Sequence, residues 1–158
     1  MALVVRRATK QDARTIAEFA LKLFAQHHEY DPERFAQLGN LEGAEWFYGS
    51  QTEADNVAVL VAEIDNKVVG FAFMQYEEVN YADLLEKALW VHDIYVDESA
   101  RRNGAGKALM ESAAEIAAQF GADKIALSVA AKNEYARAFF KQSGLRETMV
   151  EMTLNLSK

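Results

Sequence analysis

The stretch Ala88–Phe120, ALWVHDIYVDESARRNGAGKALMESAAEIAAQF, decides how the rest of the chain is read. Leu89–Val96 is an apolar-rich run of strand length, as expected of a buried strand. A polar turn follows over 97–102. After Asn103-Gly104-Ala105-Gly106 a helical period takes over at once. Leu109, Ala113, Ile116 and Phe120 fall on one face, and Lys107, Glu111, Glu115 and Gln119 on another. The order is strand, basic glycine turn, helix. The first amides of a helix lack intrahelical partners and sit at the positive end of its dipole. Glycines let a bulky anion approach the backbone. Arg101, Arg102 and Lys107 add positive charge, so the turn reads as a phosphate cradle at a helix N-terminus. A Rossmann G-x-G-x-x-G is excluded by Leu109, which stands where the third glycine belongs. A Walker loop is excluded because Gly106-Lys107 lacks the upstream glycine and is followed by Ala108. What remains is Arg101-x-x-Gly104-x-Gly106.

A second stretch carries the reading further. Lys124–Ala130, KIALSVA, has the composition of a strand. Asn133 to Leu145, NEYARAFFKQSGL, follows. The first motif resembles the pyrophosphate-binding signature R/Q-x-x-G-x-G/A of the GNAT superfamily of N-acetyltransferases. The second is similar to that superfamily's N-x-x-A-x-x-[LF]-Y-x-x-x-G-F, at the right distance and in a strand–helix–strand setting. The resemblance covers 88–156 closely and 3–73 only in element order.

It implies an α/β (α+β) GNAT-like single domain over residues 1–158. A mixed, mostly antiparallel sheet with splayed central strands would be flanked by helices, and acetyl-CoA would serve as acyl-donor cosubstrate. By the same resemblance Ile94, Tyr95 and Val96 would border the pantetheine arm. Arg101, Arg102, Asn103, Gly104, Ala105, Gly106 and Lys107 would hold the pyrophosphate, with Asn133 and Phe140 on the other side. The strand carrying Ile94 would part from the Lys124 strand to admit the arm.

The reaction would be acetyl transfer to a primary amine by direct attack in a ternary complex. That attack needs a neutral nitrogen, so a base must take a proton from the ammonium. Regular alternation puts Trp90, His92, Ile94 and Val96 on one strand face, and Val91, Asp93 and Tyr95 on the other. The glutamates that act as bases elsewhere in the superfamily have no counterpart at 90 or 92. His92 is the titratable group on that face, and an imidazole, with an ordinary pKa of about 6.5, suits the task. Asp93 is the next candidate if a bulge reverses the parity. Phe140 stands where the family has the tyrosine that protonates the leaving thiolate, so water or another group must supply that proton.

The remainder bounds the function. The chain has 158 residues, 51% hydrophobic and 26% charged, enough for one domain with a sizeable core. It has no cysteine, which excludes disulfides, thiolate metal sites and a cysteine nucleophile. No metal site is expected. The formal net charge of −7 disfavours general binding to nucleic acid or anionic membranes and favours cationic partners. With no membrane-length apolar run and no signal-peptide layout, a cytoplasmic protein is expected.

Leu3–Arg7 reads as a strand and Thr9 as a helix start, with Asp12 at the capping-box offset. Asp31-Pro32 reads as the start of a second helix, interrupted near Gly39-Asn40, with a further helical piece over Glu42–Tyr48. Phe24, His27, His28, Glu29 and Tyr30 are candidate acceptor-binding residues, because aromatic rings and a carboxylate can cup an ammonium. Core packing is the competing reading for the rings. Val57–Glu63 and Val68–Tyr76 read as a hairpin around Asp65-Asn66, with Gly70 marking a bulge or a close backbone contact. Glu77–Lys87 could border the acceptor pocket. Met149–Leu156 alternates apolar and polar residues and reads as a terminal strand, a possible homodimer contact. The acceptor is expected to be a small cationic amine. A protein lysine or N-terminal amine, and a non-catalytic acyl-CoA-binding module, stay open as alternatives.

Overall fold

A computed structural model describes residues 2–78 and 87–157. Its elements follow the chain as β1 (Leu3–Arg7), α1 (Ala13–Tyr30), α2 (Leu41–Gln51), β2 (Val57–Ile64), β3 (Lys67–Glu77), β4 (Ala88–Val96), α3 (Ala105–Phe120), β5 (Lys124–Leu127) and α4 (Glu134–Gln142). The sheet order is β1-β2-β3-β4-β5. The first four strands pair antiparallel, and β5 joins β4 in parallel.

Both sheet faces are covered. Leu60, Met74, Leu89 and Val91 pack against Leu109, Ala113 and Ile116 of α3. Val59, Val61, Phe71, Phe73 and Tyr95 pack against Ile16, Phe19, Ala20 and Leu23 of α1, with Tyr48 of α2. This double cover explains why β2 is buried without alternation from Val57 to Ala62. Asp65 and Asn66 take left-handed φ of 50° and 67°, the geometry a two-residue hairpin needs. The Asp12 carboxylate accepts from the Thr9 amide at 2.8 Å, the capping contact anticipated from the spacing. It also pairs with the Arg6 guanidinium through contacts of 2.8 and 3.0 Å.

Two bulges set the geometry near the site. In β3, Gly70 faces Ala62 while Val68 faces Glu63, so Val69 is the extra residue. A Cβ on Gly70 would lie 2.6 Å from the Tyr95 carbonyl oxygen, so this glycine marks both a bulge and a close backbone approach. In β4, Asp93 faces Phe73 while Val91 faces Met74, which leaves His92 as the extra residue.

The second bulge corrects the alternation read from the sequence. Leu89 and Val91 point toward α3 together with Ile94 and Val96. Asp93 and Tyr95 point toward α1 and α2, and so does His92, whose ring lies 5.6 Å from that of Phe73. One inserted residue flips the face of all that precede it.

Three further expectations are corrected. No helix starts at Pro32: residues 31–40 form one turn, in which Arg34 and Phe35 amides bond the Asp31 carbonyl, followed by irregular chain. The proline permits a helical start, but no apolar period follows to bury a longer helix, and Asn40 instead caps α2 through its bond from the Gly43 amide. Residues 149–156 form no strand and lie exposed on both alternating faces: among the described residues no strand pairs with them, and the Glu151 carboxylate instead accepts from the Arg34 guanidinium. β5 therefore sits at the sheet edge rather than in its centre, and is shorter than the expected Lys124–Ala130. Of the stretch 77–87 expected near the acceptor, residues 79–86 lie outside the described residues.

Candidate active site

The pairing of β4 with β5 ends at Val91 and Leu127, though β4 continues to Val96. Past that point the strands part, and a cleft of about 390 Å³ occupies the gap. Val91–Val96 line one wall and Leu127, Ser128 and Val129 the other. The start of α3 closes one end, α4 contributes Asn133, Ala136, Phe139 and Phe140, and α1 contributes Leu23, Gln26, His27 and Tyr30.

At the α3 end the turn is built by backbone conformation. Arg102 (φ 69°) and Gly104 (φ 84°) are both left-handed. Gly104 occupies the N-cap without a side-chain cap, so the first-turn amides are left to whatever lies beyond the helix. A Cβ at Gly104 would meet nothing nearer than Leu3 Cδ2 at 3.8 Å, so glycine is favoured there by φ rather than by space. At Gly106 a Cβ would sit 3.3 Å from Phe139 Cζ, so that glycine lets α4 close on the helix start. Arg101 folds back: its Nε donates to the Val96 carbonyl at 3.0 Å and its guanidinium lies 5.5 Å from the Tyr95 ring centre. This ties the cradle to the end of β4. Asn103 and Lys107 are exposed, and Lys107 approaches Glu111 at 3.8 Å. Asn133 caps α4, its Oδ1 accepting from the Ala136 amide at 3.1 Å.

Phe140 is buried against Phe139, ring centres 5.3 Å apart, and lines the cleft with no proton to give. The donor set fits a nucleotide pyrophosphate with a pantetheine-like arm. Helix-start amides and arginines stand at one end, and a slot between parted strands leads away from them.

The other end carries the titratable groups. His92, at the bulge, is exposed, and Asp93 beside it is half-buried. Tyr48 donates from its hydroxyl to Asp93 Oδ2 at 2.7 Å. Burial pushes the Asp93 carboxyl above the usual carboxylate range, opposed by the Tyr48 bond and by the nearby imidazoles of His92 and His27. Burial and the charge of Asp93 both hold the Tyr48 phenol protonated far beyond neutrality. Burial lowers His27, with Asp93 pulling the other way. The His27 ring stacks on Phe35 at 5.0 Å.

Of the five acceptor-side residues named from the sequence, His27 and Tyr30 line the cleft. Phe24 packs into the core beneath α1, His28 places Nδ1 2.8 Å from the Phe35 carbonyl oxygen, and Glu29 is exposed off the lining. Gln26 lines the cleft and donates to the Tyr30 hydroxyl at 3.1 Å. In the sequence Tyr48 reads only as the last residue of the helical piece Glu42–Tyr48. Its signal is chemical: a fully buried tyrosine needs a hydrogen-bond partner, and the acid opposite must be found. Among the described residues no cluster of three or more His, Cys, Asp or Glu could hold a metal ion, and no helix is long and apolar enough to cross a membrane.

Known proteins share this architecture. The family model described as acetyltransferase (GNAT) family matches residues 16–145. The chain is 30% identical over 144 residues to an N-acetyltransferase of Bacillus subtilis (strain 168), covering 90% of this chain and 89% of the relative. It is 28% identical over 144 residues to an N-acetyltransferase of Archaeoglobus fulgidus, covering 90% and 92%. Among solved structures, a mutant of the BH1408 protein from Bacillus halodurans superposes with a TM-score of 0.86 at 22% identity over 98% and 99% of the two chains. The aminoglycoside acetyltransferase AAC(6')-Iy, in complex with a bisubstrate analogue joining CoA to acetylneamine, superposes with a TM-score of 0.76 at 19% identity over all of both chains.

Proposed function

The chain belongs to the GNAT acetyltransferase family, and from that premise we propose that it transfers an acetyl group from acetyl-CoA to the primary amine of a small cationic molecule. The observation that carries this reading is the cleft between the parted strands, with a phosphate cradle at one end and the Asp93 carboxyl with two imidazoles at the other. The bound cosubstrate supplies an activated acetyl thioester.

Arg101, Arg102 and the amides of residues 104–107 hold its pyrophosphate, and Ile94, Tyr95 and Val96 border its arm. Asn133 holds α4 in place, and Phe140 packs on the arm. Asp93 draws the acceptor ammonium inward by charge, and the His27 and Tyr30 rings confine it. His92, exposed beside Asp93, takes the proton and releases it to solvent. The nitrogen–carbon bond forms as the carbon–sulfur bond breaks, and the acylated nitrogen gives its second proton to water. The thiolate leaves with the electron pair and is protonated by water, since Phe140 cannot serve.

The same reading extends to assembly. Met149, Val150, Met152, Leu154 and Leu156 are more than four-fifths exposed and present apolar side chains to water. Among the described residues β5 has one unpaired edge, and a second copy of the chain is the proposed cover for both.

The test is acetyl-CoA with a panel of amines (a polyamine, an aminosugar, free lysine and a lysine peptide), read by release of free thiol. Thiol released only with amine present, fastest with a small polycation, is the expected result. Acetyl-CoA binding without acceptance of any amine would overturn the assignment, and preference for the peptide would move the acceptor class to protein.

A further inference from the structure

Tyr48 lies behind the cleft rather than on it, 45 positions from Asp93 in sequence. Three rings fix it edge-on: Phe47 at 5.2 Å, Phe71 at 5.5 Å and Phe73 at 5.8 Å, with interplanar angles of 80°, 74° and 88°. The side chain is buried, 2% exposed, so its hydroxyl has one place to point. That place is Oδ2 of Asp93. Among the described residues Tyr48 is the only hydrogen-bond partner of this carboxylate, and no enclosed side-chain oxygen lacks a partner. Oδ1 is therefore the oxygen left to the cleft, which Asp93 lines.

The bulge completes the arrangement. Without the extra residue, Asp93 and His92 would fall on opposite faces of β4. With it, both stand on the α1/α2 side, within reach of Tyr48 from α2 and His27 from α1.

Resting on the acetyl-transfer reading above, we propose that Tyr48 is a positioning residue for that reaction: it clamps Oδ2 of Asp93 so that Oδ1 faces the acceptor amine. It touches neither substrate and acts only through the carboxylate. Its phenol suits the task, because burial and the neighbouring charge keep it a donor throughout the working range. The groups facing Asp93 among the described residues are Tyr48 from α2, His27 from α1 and His92 on its own strand, while β3 presents the apolar Phe73. Of these, only Tyr48 is in hydrogen-bond contact.

The test is Tyr48→Phe, which keeps the ring and its packing and removes one hydroxyl. A donor to the charged form lowers a carboxyl pKa, so its loss must raise it. The strength of a hydrogen bond to a charged group corresponds to a shift of about one pH unit. Carboxyl carbon NMR of aspartate-labelled protein, with Asp93→Asn to assign the signal, reads this without any acceptor. The expected result is an Asp93 titration about one unit higher in Tyr48→Phe. The acid-side break in kcat/KM against pH that Asp93 sets, distinct from the one set by His92, should move by the same amount with spermidine as acceptor, and stabilisation by acetyl-CoA should be unchanged. An Asp93 titration that stays put overturns the clamp. A titration that moves while the rate profile does not follow overturns the role in the reaction, and no turnover of any amine by the parent protein overturns the acetyl-transfer reading on which that role rests.

Discussion

Gly70→Ala tests how closely the bulged strands hold the cleft wall. The added Cβ would stand 2.6 Å from the Tyr95 carbonyl oxygen and 3.2 Å from Val96 Cα. Both neighbours are backbone, so no side chain can swing away, and β3 and β4 must separate locally. Overpacking of this kind costs about 1–3 kcal/mol, and backbone contacts put this case toward the upper end. Alanine returns roughly 0.5–1 kcal/mol, because glycine loses more freedom on ordering. The net expectation is a loss of about 2 kcal/mol, a fall in Tm of roughly 4–8 °C for a chain of this size. Tyr95 and Val96 also line the cleft, so the increment in Tm from saturating acetyl-CoA should shrink in the same variant. Differential scanning calorimetry with and without acetyl-CoA reads both quantities. A Tm equal to or above that of the parent would refute the strand-contact argument.

His92→Ala should lower turnover roughly 10²-fold at neutral pH, the usual range for a positioned base, with the deficit shrinking as pH rises and the free amine needs less help. An unchanged rate and pH profile would move the proton to Asp93 or to water. Asp12→Ala should cost about 2 kcal/mol, since it breaks two contacts to the Arg6 guanidinium and leaves the Thr9 amide without its partner. The Arg6 bond holds the Asp12 carboxyl below its ordinary 3.8, so its stabilisation is present above that value and lost as pH falls below it; urea melts at pH 7 and pH 3 should show the variant's deficit narrowing in acid. Met152→Asp with Leu154→Asp should convert a dimer to a monomer by sedimentation at micromolar concentration, whereas a parent protein already monomeric there would contradict the proposed self-association.

The two motif-bearing stretches were legible because each carries its geometry locally. Gly104 and Gly106 stand where a helix start demands a left-handed residue and a close neighbour, and Asn133 is a cap that any strand–helix junction would want. The hairpin at Asp65-Asn66 was legible for the same reason. What stayed hidden depends on partners distant in sequence. The extra residue at His92 arises from register against Phe73 and Met74, which no local pattern records, and it reversed the assignment of faces along half of β4. Tyr48 met Asp93 only through the packing of α2 across the sheet. Met149–Leu156 shows the limit of periodicity: alternation describes how a segment could pair, while the strand forms only where backbone pairing and burial of one face come together.

Acetyl transfer by this chain requires that the turn from Arg101 to Lys107 and the gap between β4 and β5 hold acetyl-CoA. The most direct measurement of that binding is the rise in Tm on adding acetyl-CoA to the parent protein and to Gly104→Glu. A ligand that binds only the folded state raises its stability by about 2.7 kcal/mol at a hundred times its Kd, roughly 5–10 °C here. Glutamate at φ 84° will lower the starting Tm through backbone strain, so the quantity that counts is the increment within each protein. A clear increment is expected for the parent and none for the variant, whose carboxylate would meet the pyrophosphate. A folded variant with the parent's full increment would contradict that binding.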